Sequence, residues 1–304
     1  MRDRLSELLC DFAQKDKSVY VLSGDHGYSL FDALRKSTPE KFINVGVAEQ
    51  AMVGIAAGMA KAGLRPIVYG LAAFIPIRVV EFIKMDVCYQ ALQVIFLGDG
   101  AGLVYSTLGS SHQCSEDMAV LQPLPNIKIY SPADSLELEY CFRQAMLSTE
   151  SASYIRIGKS DKPSVHGNLS DAIPFGPCIQ VTDRVKGSTV FATGSMVSTA
   201  IEIAKYLPIT VISVPIPTDV DADMVREYSG ESNNIITLEE HSIYGGLGSM
   251  ISQIIANNSI PKKFYSFGLG RHFTHFASTY DVALSEHGLT VDQLKQRLGE
   301  IILE

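Results

Sequence analysis

The stretch "INVGVAEQAMVGIAAGMAKAGLRPIVYGLAAF", from Ile43 to Phe74, contains the most informative pattern in this sequence. Its central run of Ala, Gly, Met and Val predicts a helix that is buried on nearly all sides. A short apolar run, "RPIVYG", follows and predicts a buried strand. One acid, Glu49, stands near the start of the helical run. It is either a solvated charge that complements the helix dipole or an acid that is buried for a purpose.

Short apolar runs alternate with longer helical patterns along the rest of the chain. These runs are apolar on both faces, which is typical of parallel strands covered by helices on both sides. The sequence therefore predicts an α/β fold. The predicted strands are residues 19–24, 65–70, 92–98, 127–132, 153–158, 188–194, 209–215 and 234–240, and the predicted helices are residues 48–62, 76–90, 112–121, 134–148 and 195–206.

A polar stretch rich in turn-forming residues, from Gly158 to Pro177, interrupts this alternation. Domain boundaries usually fall in stretches of this composition. We therefore predict two doubly wound domains with mainly parallel sheets, residues 1–165 and 186–304, joined by a linker at residues 166–185.

The composition argues against several classes of protein. The 304 residues carry a formal net charge of -8, which does not favour a nucleic-acid partner, because phosphate binding needs clustered Lys and Arg. The N-terminus predicts an amphipathic helix and a strand rather than a signal peptide. No apolar run is long enough to span a membrane. The scattered cysteines fit free thiols in a reducing compartment, so we expect a cytoplasmic protein: they are Cys10, Cys88, Cys114, Cys141 and Cys178.

Two glycine-containing motifs are candidate ligand sites. "GDG" at 98–100, with Asn126, resembles the signature by which thiamine diphosphate enzymes hold Mg²⁺, but that signature usually ends in paired Asn. We interpret it as a tight turn after a strand and assign no metal to it. "GGLG" at 245–248 precedes a helix and could hold a phosphate on backbone N–H groups. A close strand-to-helix turn is the alternative.

Taken in order, several stretches resemble the second half of transketolases and of the related 1-deoxyxylulose-5-phosphate synthases. "FINVGVAEQAMVGIAAGMAKAG" resembles the pyrimidine-binding segment of that family, and "SSHQCSEDMAVLQPLPNIKIYSPAD" resembles its Thr-His-Gln loop and the following strand. "FATGSMVSTAIEIAKYL" and "EEHSIYGGLGS" are similar to landmarks of its C-terminal domain. The family's first half, which binds the diphosphate and Mg²⁺, has no counterpart. The resemblance therefore implies one subunit of a split enzyme.

The resemblance also explains the acid at Glu49. The matching Glu of the family hydrogen-bonds N1′ of thiamine's aminopyrimidine and favours its 4′-imino tautomer, which requires a proton held in a dry site. Phe74 matches the aromatic residue that stacks on the pyrimidine ring. His112 matches the His that contacts the donor's oxygen. The resemblance thus implies that Glu49 and His112 are catalytic and that Glu49 and Phe74 bind the cofactor.

Five further positions have implied or open roles. Arg78 and Glu81 lie three apart on one predicted helix, and we expect an ion pair or a subunit contact. Leu108 stands where typical transketolases have an Asp that reads a donor hydroxyl, so either the loop is shifted or the donor differs. Asp25 and His26 follow the first strand, where sites form in α/β folds, and are further substrate candidates. A turn with no chemistry is the alternative.

The resemblance implies the pyrimidine-binding subunit of a two-chain, thiamine diphosphate-dependent enzyme that transfers a two-carbon ketol unit between phosphorylated or nucleotide-linked sugars. The partner subunit is expected to hold the diphosphate and Mg²⁺, and two copies of each chain are expected to form an α2β2 assembly. One alternative is the β subunit of an enzyme that uses pyruvate or another 2-oxoacid. Another is an α/β scaffold without catalytic activity.

Overall fold

The computed structural model of this protein describes residues 1–159, 162–166 and 175–303. The first of two sheets has six strands, all parallel to their neighbours. These are β1 (Val19–Ser23), β2 (Phe42–Asn44), β3 (Arg65–Leu71), β4 (Ile95–Asp99), β5 (Ile127–Tyr130) and β6 (Ala152–Ile157). Their order across the sheet is β2-β1-β3-β4-β6-β5.

Helices cover both faces of this sheet: α1 (Arg2–Lys15), α2 (Asp32–Ser37), α3 (Glu49–Lys61), α4 (Val80–Phe82), α5 (Asp117–Leu121) and α6 (Ser135–Leu147). On one face, α1 and α6 bury Leu9 and Phe142. On the other, α3 buries Met52 and Ala56. The side chain of Asp134 caps α6, because it accepts hydrogen bonds from two backbone N–H groups of the first turn.

Two predicted helices differ from the structure. Residues 76–90 form a 3₁₀ turn, the short helix α4 and a π-helix rather than one regular helix. The run begins at Pro76, which lacks a backbone N–H group. Only α5 forms within residues 112–121, because the residues before it belong to a loop. Gly102 and Cys114 close that loop through a pair of backbone hydrogen bonds.

The second sheet contains β7 (Ile179–Gln180), β8 (Ser188–Ala192), β9 (Ile209–Ser213), β10 (Asn234–Ser242) and β11 (Lys263–Leu269), in the order β11-β10-β8-β9-β7. Only β7 pairs antiparallel, with β9. Its helices are α7 (Met196–Ala204), α8 (Ala222–Ser229), α9 (Leu247–Asn257), α10 (Tyr280–Glu286) and α11 (Val291–Leu303). The predicted fold, α/β with mainly parallel sheets, is confirmed. Strand β7 lies inside the predicted linker 166–185, and the three-part division of the chain stays a prediction.

The structure favours turns at both glycine motifs. Gly100 adopts a φ of 78° directly after β4, where Asp99 accepts hydrogen bonds from the Tyr69 and Tyr105 hydroxyls. Asn126 donates instead to the carbonyl of Cys88. At the second motif, the N–H groups of Leu247 and Gly248 donate to the Glu239 carboxylate at 2.7 and 2.8 Å. A side chain of the protein therefore occupies the place where a phosphate was considered.

A buried ion pair joins the two sheets. Nε of Arg156 lies 2.8 Å from Asp117, which also accepts a hydrogen bond from the Tyr154 hydroxyl. Both charged side chains are almost fully buried. Nη2 of Arg156 donates to the carbonyl of Glu240 on β10 at 2.6 Å. The Glu240 carboxylate in turn accepts from the backbone N–H of Leu103. These contacts connect β6 and α5 of the first sheet to β10 of the second.

We expect Asp117→Ala to destabilise the chain by about 3–5 kcal/mol, because Arg156 would remain as a buried cation without its counter-ion. Urea unfolding followed by circular dichroism measures this loss. The control is Asp223→Ala, which removes a surface ion pair with Arg226 and should cost about 1 kcal/mol or less. Equal losses in the two variants would contradict a structural role for the buried pair.

Burial shifts the pKa values of two neighbours in this region in opposite directions. It raises the pKa of Glu239 from 4.5 to about 7, so this acid contributes stability at low pH that is lost as the pH rises through about 7. It lowers the pKa of His241 from 6.5 to about 4, so the unfolded chain takes up the proton first. The contribution of His241 is therefore present above about pH 6.5 and is lost as the pH falls to about 4.

In the wild type these two slopes oppose each other between about pH 4.5 and 6.5. In Glu239→Gln only the His241 slope remains, so the free energy of unfolding should rise by about 1–3 kcal/mol more than in the wild type over that interval. His241→Asn should show the reverse slope. Urea titrations at a series of pH values test this, and parallel pH profiles for all three proteins would show that neither group is linked to folding.

Candidate active site

Four neighbouring strands of the first sheet end at the edge where the predicted site residues lie. β2, β1, β3 and β4 are adjacent and parallel, so their carboxyl ends meet at one edge. The loop after each strand carries at least one candidate residue. Sites of α/β sheets form at this edge, outside the carboxyl ends of the strands.

Glu49 follows β2 and is the first residue of α3. Its side chain is only 3 % exposed, so the solvated-charge interpretation is wrong. Nη1 of Arg78 lies 3.1 Å from each of the two carboxylate oxygens of Glu49. The structure therefore places a buried carboxylate at the helix start and gives it a partly exposed cation as its partner.

Phe74 follows β3 in a turn and is half-buried. Three groups surround its ring. The ring of His112 lies edge-on with its centre 5.6 Å away, and the ring of His26 is tilted at 6.3 Å. The guanidinium carbon of Arg78 lies 4.3 Å from the ring centre, at the distance of a cation–π contact. Phe74 is thus the common neighbour of the candidate residues on three loops.

The predicted ion pair between Arg78 and Glu81 is corrected by the structure. Both side chains are exposed, and Arg78 pairs with Glu49 instead. The sequence concealed this pair, because its members lie 29 positions apart. A weak signal was present, since Arg78 follows Phe74 by four residues and one helical turn brings such positions together. Whether Glu81 contacts another subunit stays a prediction.

The His112 loop, residues 102–114, rests on the second sheet's domain. His112 is half-buried, and its Nδ1 lies 3.0 Å from the Ser111 hydroxyl. The next residue, Gln113, accepts a hydrogen bond from Thr274 at 2.7 Å, and Ser110 donates to the carbonyl of Thr274. Sequence reasoning missed Gln113 and Thr274, because nothing in the pattern links positions so far apart.

The remaining candidates lie near this cluster but on more exposed backbone. Leu108 ends a 3₁₀ turn in the His112 loop and is 53 % exposed. Asp25 has a φ of 64° and accepts a hydrogen bond from Asn44 at the end of β2. His26 is anchored through its backbone to the Ser23 hydroxyl. The structure therefore brings Glu49, Phe74, His26 and His112 together and leaves Asp25 bonded to Asn44.

These side chains fit an aminopyrimidine. Glu49 provides a buried acid for a ring nitrogen, and Phe74 provides a flat apolar face. In the described part of the chain, no group of three or more His, Cys, Asp or Glu side chains is placed to hold a metal ion. Within the same residues, no helix combines the length and apolar character needed to cross a membrane.

Comparison with known proteins gives the same family for both halves of the chain. Residues 1–164 match the family described as "Transketolase, pyrimidine binding domain", and residues 180–294 match "Transketolase, C-terminal domain". One of the two subunits of the apulose-4-phosphate transketolase of Phocaeicola vulgatus is 29 % identical over 86 % of this chain and 85 % of its own. The 6-deoxy-6-sulfo-D-fructose transketolase subunit of a Clostridium species is 29 % identical over 99 % of this chain and 94 % of its own.

A solved structure described as "Split gene transketolase, inactive beta4 tetramer" superposes on this chain with a TM-score of 0.87. It is 29 % identical, and the match covers 99 % of this chain and 98 % of the other. Sequence and fold therefore agree over both domains, and the chain belongs to the transketolase family, with a pyrimidine-binding domain followed by a transketolase C-terminal domain.

Proposed function

We propose that this chain is the pyrimidine-binding subunit of a two-chain, thiamine diphosphate-dependent transketolase that transfers a two-carbon ketol unit between sugar substrates. The observation that carries the proposal is the buried Glu49 carboxylate beside the half-buried ring of Phe74, with His26 and His112 at the ring. Membership of the transketolase family and similarity to subunits of split transketolases support it.

Glu49 and Phe74 would hold the cofactor's aminopyrimidine. Glu49 would hold a proton at the ring nitrogen N1′ from a site that excludes water, and Phe74 would orient the ring by stacking. When bound, thiamine diphosphate supplies the reactive carbon that takes up the two-carbon unit. We assign the diphosphate and Mg²⁺ to the partner subunit, because the candidate residues of this chain fit the pyrimidine end.

His112 and His26 would act on the donor sugar. Their rings approach Phe74 from two loops, at 5.6 and 6.3 Å between ring centres. A neutral imidazole has one donor and one acceptor nitrogen, so either residue can hydrogen-bond a sugar oxygen or transfer its proton. Asp25 lies next to His26 and would contribute to the same end of the site.

The substrates we propose are phosphorylated or nucleotide-linked sugars. Two relatives are named for apulose 4-phosphate and for 6-deoxy-6-sulfo-D-fructose, and both names describe sugars with an acidic group. Leu108 favours a second candidate, a donor such as pyruvate that offers no hydroxyl at this place. Its half-exposed side chain in the His112 loop cannot accept a hydrogen bond.

The assembly we propose is an α2β2 tetramer in the cytoplasm. A partner subunit is supported by relatives named as transketolase subunits and by a solved neighbour described as an inactive β4 tetramer of a split-gene transketolase. The five cysteines are free, which fits a reducing compartment.

The proposal is tested by reconstitution with the partner chain. We expect wild-type protein to bind thiamine diphosphate and Mg²⁺ tightly only with the partner present, as measured by calorimetry. Glu49→Gln should assemble normally but lose turnover by about 100-fold or more, because it cannot exchange a proton with N1′. Glu231→Gln, at an exposed ion pair, is the control. Near wild-type turnover of Glu49→Gln would remove Glu49 from the mechanism, and tight Mg²⁺-dependent binding by the isolated chain would contradict the two-chain enzyme.

Leu108 gives a separate test of donor choice. If Leu108 faces the donor, xylulose 5-phosphate should be a poor donor, and Leu108→Asp should shift preference toward it, because a carboxylate can accept its hydroxyl. Donor consumption is measured with xylulose 5-phosphate, a deoxy analogue and pyruvate. The control is Leu147→Asp, an equally simple change at an exposed Leu on α6. Robust and unchanged use of xylulose 5-phosphate would show that another residue reads the donor.

A further inference from the structure

Arg78 contacts both groups to which the proposed function assigns the aminopyrimidine. Its Nη1 is 3.1 Å from each oxygen of Glu49, and its guanidinium carbon is 4.3 Å from the ring centre of Phe74. The same side chain is 43 % exposed, whereas Glu49 is 3 % exposed. The arginine therefore reaches a buried acid from the solvent side and covers the aromatic ring on its way.

A guanidinium and an aminopyrimidine share the chemistry that this place selects. Both are planar and delocalised, both stack on an aromatic face, and both hydrogen-bond a carboxylic acid. Glu49 cannot give both oxygens to Arg78 and also serve a ring nitrogen in full. A ring that stacks on Phe74 likewise competes with the guanidinium for that face. The two occupants are therefore alternatives for one place.

We propose that Arg78 is an internal substitute for the aminopyrimidine: in the cofactor-free chain its guanidinium fills the Glu49–Phe74 place, and thiamine diphosphate binds by displacing it. This inference rests on the proposed function. It makes Arg78 a residue that sets cofactor affinity, because the pyrimidine's binding free energy is reduced by that of the arginine it displaces. No covalent change is involved.

The burial of Glu49 explains why such a substitute is present. A carboxylate that is almost fully buried is costly without a counter-ion, so the cofactor-free chain needs a cation beside it. Arg78 can serve and still leave, because it lies in a 3₁₀ turn at the protein surface and its stem remains partly in water. The cofactor then takes over the hydrogen bond to Glu49, and the freed guanidinium returns to solvent.

The test uses the isolated full chain and 4-amino-2,5-dimethylpyrimidine at about pH 8, where this fragment is largely uncharged. Arg78→Met removes the charge and the planar group but keeps an apolar stem. We expect it to bind the fragment about tenfold more tightly than the wild type in ligand-observed NMR titrations, which corresponds to about 1.4 kcal/mol. The control is Arg143→Met, since Arg143 also pairs with a Glu, Glu139, and lies 5.8 Å from the ring of Phe12 on α1.

Salt provides a second, independent measurement. Raising the salt concentration from about 50 mM to about 500 mM screens the Arg78–Glu49 pair and should strengthen fragment binding to the wild type. In Arg78→Met this dependence should be absent, whereas a merely structural role for the arginine would leave the salt response unchanged. Arg78→Lys, which keeps the charge without the flat group, should fall between the two proteins.

The outcomes separate this inference from the proposed function. Equal or weaker fragment binding by Arg78→Met overturns the inference, and so does an absence of fragment binding by that variant. If the wild type reconstituted with its partner still binds thiamine diphosphate and turns over, the proposed function survives that result. If the reconstituted wild type neither binds the cofactor nor turns over, the proposed function fails and the inference fails with it.

Discussion

A carboxylate enclosed by protein needs a partner at all times, and Glu49 imposes this requirement on the first sheet. Its position at the start of α3 is fixed by β2, while its cation and the aromatic ring beside it come from the segment after β3. The loops of two strands must therefore meet across β1, which lies between them. Only a parallel sheet delivers these loops to one edge without a further chain reversal. The placement of His26 and His112 follows from the same geometry.

Local sequence patterns predicted most of the fold. Buried strands such as β1, β3 and β8 appear as short apolar runs because both of their faces are covered. The pattern failed where tertiary contacts decide the backbone. Strand β11 carries polar and partly exposed residues and was not predicted, and residues 112–116 became a loop because Gly102 pairs with Cys114. Such pairings over long sequence distances leave no periodic signal.

The site was only partly predictable for the same reason. Glu49, Phe74 and His112 were found through a family resemblance that preserves their order, and the structure places them beside one another. Arg78 was assigned to the wrong partner, because the rule for neighbours on a helix favours Glu81, three positions away. The actual partner is 29 positions away and buried. Charge pairing across loops is set by the topology of the sheet and cannot be read from spacing along one helix.

The His112 loop begins and ends in the first domain, yet its supports come from the second. Glu240 receives Leu103, Thr274 binds Gln113 and Ser110, and Ser278 donates to the carbonyl of Ser106. During synthesis on the ribosome, the strands that carry the other site residues emerge well before these supports, and domains generally fold as they emerge. The newborn first domain can complete its sheet while its catalytic loop still lacks anchors. Maturation of the site therefore lags behind folding of the domain that contains it, and ends only when the last third of the chain has been made.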